Sequence, residues 1–198
     1  MKVARRDFLF VLAGLLATRV PTPMSATAAE AAVNPSGAVA YMKTVADDLM
    51  AAQRVGTVPS FQKAILRHAD VEGIAMYSLG PYKGDLQPSQ KPSYFTGVSL
   101  FMARYFADSS RQYQVGKAEI GDATVDDTGA ALVNTRITLM SGSTYNVIFK
   151  VTQNGKEYQI ADVSVLGFSL ATMQRGIFLR FIAKHGGDAQ ELFKALAR

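Results

Sequence analysis

The hydrophobic residues of this chain change their spacing twice, and that change limits the folds open to it. Up to about residue 108 they recur at steps of three and four, the period of an amphipathic helix. From about 112 to 166 they alternate with polar residues, the period of a strand with one face covered. After Gly167 the helical spacing returns. Strands grouped together between groups of helices are the pattern of an α+β domain rather than of alternating βαβ units. An antiparallel meander of about four strands is therefore expected to pack against N-terminal helices and two C-terminal helices.

The details support that outline. Val39, Met42, Val45, Leu49 and Met50 give a helix over 38–54, stopped by Gly56. Ser60 is a candidate cap for a second helix carrying Phe61, Ile65 and Leu66, and Asp70 for a third carrying Val71, Ile74, Ala75 and Leu79. Gly80-Pro81 ends the third, since glycine can close a helix and proline cannot continue one. The helix expected over 88–108 holds Tyr94, Phe95, Val98, Phe101, Met102, Tyr105 and Phe106, more than one apolar stripe. Such a helix is buried on two sides or lines a cavity. Strands are expected over 112–120, 131–140, 144–152 and 157–166, with Asn154-Gly155 as the hairpin signal between the last two. A helix through Leu170, Met173, Ile177, Phe178, Phe181 and Ile182 then runs to Gly186-Gly187. Asp188 starts a final one with Leu192 and Leu196 inward.

The first 28 residues read as an address. Lys2, Arg5 and Arg6 precede an apolar run over 8–17, and Ala26-Thr27-Ala28 is an A-x-A cleavage signal before Ala29. Ten apolar residues cover only about 15 Å as a helix, half of a bilayer core. The stretch Ala4-Arg5-Arg6-Asp7-Phe8-Leu9-Phe10 is twin-arginine-like, and a general secretory signal is the other reading. Export follows from both. Residues 29–37, rich in Ala, Pro, Ser and Gly, are expected to be a flexible tail, and 38–198 a single domain. Cleavage removes Lys2, Arg5, Arg6, Arg19 and Asp7, leaving 17 basic and 15 acidic residues and +2 of the original +5. The basic surplus thus gives no case for nucleic acid. The absence of Cys excludes disulfides, thiolate metal sites and a lipid-modified Cys, and leaves a freely diffusing protein; a monomer is expected.

Catalytic signals are sparse. His68 and His185 stand alone, without H-x-x-x-H spacing, and suit surface or helix-terminal positions. No G-x-S-x-G, G-x-G-x-x-G or Walker sequence occurs. Asp126-Asp127-Thr128-Gly129 reads as a turn, with a weak Ca²⁺ contact as the alternative. Asp162, inside an apolar strand, needs a reason. It is either a carboxylate bonded to a neighbouring loop or to an arginine such as Arg175, or a general base in a cup-shaped enzyme. No metal or cofactor is expected. What stands out is apolar surplus: 48% of residues are hydrophobic, and Met42, Met50, Met76, Met102, Met140 and Met173 supply adaptable filling. A two-sided helix over a one-sided sheet can enclose a pocket.

Several motifs then fall into a familiar order. Leu79-Gly80-Pro81-Tyr82 follows Ala69-Asp70-Val71-Glu72-Gly73-Ile74-Ala75. Gln87-Pro88-Ser89-Gln90-Lys91 precedes Tyr94-Phe95. Tyr158-Gln159-Ile160-Ala161-Asp162-Val163 leads to Leu166-Gly167-Phe168-Ser169-Leu170, Arg175-Gly176-Ile177-Phe178 and Gly187-Asp188. This series resembles the MlaC/Ttg2D family of periplasmic phospholipid-binding proteins, also called toluene-tolerance or ABC-transport auxiliary proteins. Tyr158 stands where that family commonly has Trp, Leu166 where it often has Glu, and Pro92 lies in an early helix turn. The resemblance implies a non-enzymatic carrier with acyl chains held between sheet and helices. Its ligand would be a phospholipid, with another apolar lipid, a hopanoid or sterol, as the alternative. Its partners would be an inner-membrane ABC transporter with an MCE-domain protein and an outer-membrane lipoprotein/porin complex. Residues expected to touch the lipid are Ile74, Leu79, Val98, Phe101, Tyr105, Val147, Phe149, Ile160, Phe168, Met173 and Phe178.

Overall fold

A computed structural model describes residues 32–197; the leader and the first residues of the expected tail lie outside them. The first helix, α1 (Pro35–Val55), begins earlier than its apolar spacing suggests. Asn34 caps it by accepting from the Ser36 and Gly37 N–H groups, and Pro35 occupies a first-turn position where its missing N–H costs nothing. Val33 is buried and donates its N–H to the Gly129 carbonyl at 2.8 Å. Residues 33–37, expected as tail, therefore belong to the fold: the polar residues that suggested a tail are a helix cap.

Helix α2 (Val58–His68) is capped by Thr57 instead of Ser60, whose hydroxyl donates back to the Ala52 and Thr57 carbonyls. Asp70 caps α3 (Val71–Leu79) through the Gly73 N–H. Gly80 ends it at φ 56°, ψ −120°, open to glycine but strained for other residues. Two 3₁₀ turns, Gly80–Asp85 and Pro88–Gln90, lead into α4 (Lys91–Gln112). Helix α4 runs past residue 108 on polar residues that carry no apolar period, so the first strand starts later than expected.

The strands β1 (Val115–Val125), β2 (Ala131–Leu139), β3 (Thr144–Asn154), β4 (Glu157–Val165) and the two-residue β5 (Phe168–Ser169) form one antiparallel meander in chain order. The β3–β4 turn is Gly155-Lys156, with positive φ at Gly155 alone among the two, the type II′ pattern. The hairpin signal was thus one residue out of register. Between Val151↔Ile160 and Lys150↔Asp162 the ladder skips Ala161, a β-bulge. The bulge shifts the phase of β4, so that Ile160, Val163 and Val165 pair with the inward Val151, Phe149 and Val147.

Helices α5 (Leu170–Lys184) and α6 (Ala189–Leu196) complete the chain. Apolar packing falls into three groups. Helix α1 lies on the sheet through Met42 and Val45 against Val133, Val147, Phe149 and Ile160. A second group joins α3, α4, α5 and α6 around Leu79, Tyr94, Val98, Phe178 and Ile182. A third joins α1, α2 and α4 around Phe61, Ile65 and Ala103. Helix α4 belongs to two of these groups, as its wide apolar surface requires.

Candidate functional site

The three groups touch through Leu49, Phe95 and Met102 but leave a space between them. A cavity of about 610 Å³ lies between the inner face of the sheet and the helices beside the α1 contact, within the range of small-molecule sites. Its sheet wall includes Ala118 and Ile120 of β1, Ile137 and Leu139 of β2, Val147 and Phe149 of β3, and Ile160, Val163 and Val165 of β4. Its helix wall includes Met42, Val45, Leu49 and Met50 of α1, Phe61 and Ile65 of α2, Phe101, Met102, Tyr105 and Phe106 of α4, and Leu170, Met173 and Ile177 of α5. Gln53 holds one end of α1 to the sheet, donating to the Val115 carbonyl and accepting its N–H, both at 2.9 Å.

Several polar groups in the wall are occupied by protein. Asp162 Oδ1 accepts from the Val163 N–H at 2.8 Å and from the Ala171 N–H in the first turn of α5 at 3.0 Å. A carboxylate there satisfies an N–H beside the bulge and faces the positive end of a helix. Gln174 donates to Ser78 Oγ at 2.9 Å, and Ser78 to the Ile74 carbonyl. His68, read as a surface or helix-end residue, is the last residue of α2 but is buried. Its Nε2 lies 2.7 Å from Asp48 Oδ2, which also accepts from Arg67 Nη1 at 2.7 Å. A carboxylate only accepts, so Nε2 carries a proton. The hydrogen bond to His68 draws the Asp48 carboxyl below its ordinary range despite partial desolvation, and Arg67 adds to this. Tyr41 completes the network, its hydroxyl 3.2 Å from His68 Nδ1 and donating to the His68 carbonyl at 3.1 Å. Burial pushes the Tyr41 phenol up to about 12, against a smaller lowering by Arg67. Thr135 is buried in the wall, and its Oγ1 has no protein partner.

Ile74, Phe101, Tyr105, Val147, Phe149, Ile160 and Met173, named from the sequence, are all in the cavity wall. Leu79, Val98 and Phe178 are not; they lie in the helical core behind it, Phe178 standing edge-on to Phe101 at 5.2 Å between ring centroids. Phe168 is not in the wall either and is 75% exposed. Sequence reasoning missed the contribution of α1 and α2, because Met42, Leu49, Phe61 and Ile65 carry the same apolar spacing whether they meet protein or empty space. Asp126 is no cation ligand here: Oδ1 takes the Thr128 hydroxyl and the Thr128 and Ala130 N–H groups, and Oδ2 meets Lys150 Nζ at 2.9 Å. The turn consumes the carboxylate, and these bonds hold it below its ordinary range. Among the described residues no group of three His, Cys, Asp or Glu could hold a metal ion, and no helix is long and apolar enough to cross a membrane.

A family model described as MlaC protein matches residues 40–198, most of the chain. The chain belongs to the MlaC family. A solved structure with this MlaC fold is the phospholipid-binding protein from Ralstonia solanacearum in complex with a phospholipid. It superposes at a TM-score of 0.67 over 80% of this chain and 94% of that one, at 18% identity. At that identity the likeness establishes the fold. No curated protein matches the sequence. The MlaC motifs have structural reasons here. The Arg175 guanidinium lies over the Tyr77 ring, 5.0 Å from its centroid, and against Gly80, where a Cβ would crowd it. Two separated motifs of the sequence are thereby one contact.

Proposed function

We propose that the protein is a periplasmic carrier that holds phospholipid acyl chains in this cavity. It shuttles lipid between an outer-membrane lipoprotein/porin complex and an inner-membrane ABC transporter with an MCE-domain component. The observation that carries the reading is an apolar cavity between sheet and helices in a chain of the MlaC family. The bound phospholipid of the Ralstonia protein, which shares the fold, supports the ligand class.

The dimensions agree. Along α1 the wall runs from Met42 to Gln53, about 17 Å at 1.5 Å per residue. One leaflet of a bilayer holds its chains in about 15 Å, half of the hydrocarbon core. Burying a chain of roughly 16 methylenes is worth about 13 kcal/mol against water. The membrane offers the same gain, so exchange between membrane and cavity is close to balanced and direction comes from the partners. Such a protein works through shape and has no need of a catalytic group.

The test is solvent extraction and native mass spectrometry of protein purified from cells. A co-purifying two-chain phospholipid is the expected result. A hopanoid or sterol would redirect the assignment to another apolar lipid, and an empty cavity that accepts no lipid on incubation would overturn it.

A further inference from the structure

The β4–β5 turn combines two features that folding alone does not favour. Leu166 and Gly167 both have positive φ, 52° and 81°, the pattern of a type I′ turn. Asn, Asp or Gly suit that first position, whereas a leucine there is strained. Leu166 is also 66% exposed and the adjoining Phe168 75%. A large apolar residue held in a costly conformation and pointed at water is a candidate for function. Leu166 belongs to the cavity wall as well, as do Leu170 and Met173 just beyond it, so the exposed apolar surface is continuous with the interior.

Asp162, beside this turn, is taken up by the Val163 and Ala171 N–H groups, and the charged side chains of α5 are all cations. Helix α5, which starts three residues after Gly167, carries Arg175, Arg180 and Lys184 and no carboxylate. Arg180 and Lys184 are exposed, and they lie seven and eleven residues after Met173, on the same side of the helix. An apolar tip at the start of a helix whose exposed side carries cations about 15–21 Å further along is a composition that suits the interface of an anionic bilayer, the tip in the apolar layer and the cations toward the head groups.

We propose that the Leu166–Phe168 turn is an apolar lip that enters the interfacial layer of an anionic lipid bilayer and opens the cavity mouth onto it. The proposal rests on the carrier reading, and it adds that lipid crosses between bilayer and cavity at this turn.

The chain contains no Trp, so a single introduced one reports on its own surroundings. Phe168→Trp is mixed with phosphatidylglycerol vesicles whose acyl chains carry bromine, and Leu66→Trp, on an exposed face of α2, is the control. The expected result is a blue shift and quenching at position 168 and none at 66. Silence at 168, equal responses at both positions, or an equal response to phosphatidylcholine vesicles overturns the proposal, as does a lip that binds only a protein. Leu166→Asn relieves the backbone strain, so it should melt at the same or a higher temperature while binding vesicles about tenfold more weakly; unchanged vesicle binding overturns the lip. Lipid extraction reports on the carrier separately. A silent Phe168→Trp in a lipid-loaded protein sinks the lip alone, and a responsive one in a protein that never holds lipid sinks the carrier alone.

Discussion

His68 Nε2 and Asp48 Oδ2 lie 2.7 Å apart, joining the buried end of α2 to the half-exposed side of α1. The contact closes one corner of the cavity, because His68 is in its wall and Asp48 also holds Arg67. The Asp48 carboxyl is lowered in the folded protein, so its contribution to stability is complete above its ordinary value near 4. That contribution is lost as pH falls through the lowered folded value.

Asp48→Asn should therefore cost about 1 kcal/mol at neutral pH, the difference between a charge-assisted and a neutral hydrogen bond. It should also flatten the fall in stability below about pH 4. Urea denaturation as a function of pH measures both, and an unchanged acid slope would remove Asp48 from the account.

At the alkaline end Tyr41 acts in the opposite direction. With its phenol raised to about 12 in the fold, against about 10 when unfolded, its contribution is complete below pH 10 and lost as pH rises toward 12. Tyr41→Phe should be less sensitive to pH in that window, as followed by circular dichroism; equal sensitivity of both proteins would refute the assignment.

Leu79 and Val147 separate core from cavity. Leu79 is fully buried among helices, so Leu79→Ala should cost about 2–5 kcal/mol without changing how much lipid the folded protein holds. Val147 faces the cavity, so Val147→Phe adds volume where there is room. It should keep its melting temperature in the lipid-free state and hold less lipid. The reverse pattern would place the ligand elsewhere.

Thr135 carries a buried hydroxyl with no partner. Thr135→Val keeps the shape and removes that hydroxyl, which should stabilise the lipid-free protein by about 1 kcal/mol in thermal unfolding. A loss of stability would mean that the hydroxyl is satisfied by water or ligand.

Much of this fold is written in periodicity. The switch from helical to alternating spacing locates the sheet, and Asp70, Gly80 and Asp188 mark helix ends because caps act locally. Other features depend on the chain meeting itself. The bulge at Ala161 leaves no local signal, and it shifts the inward phase so that Val163 and Val165 face the cavity. It also accounts for Asp162: the carboxylate that invited an enzymatic reading bonds an N–H beside the bulge and the start of α5. Cavity and core are equally hard to tell apart in advance. Leu79 and Ile74 sit within one helix and have the same apolar character, yet one meets protein and the other the cavity. Phe168 shows the limit from the other side, since an apolar residue at a strand end is read as inward unless the turn geometry is known.

The meander has a consequence for how the molecule is made. Every strand pairs with its neighbour in sequence, so the sheet can assemble from successive hairpins with short loops to close. The opposite wall comes from both sides of the sheet in sequence, α1, α2 and α4 before it and α5 after it. A ligand space therefore exists only once these distant segments have folded back onto one surface. A chain truncated before residue 170 can form its hairpins and still lack one side of the space that holds a guest.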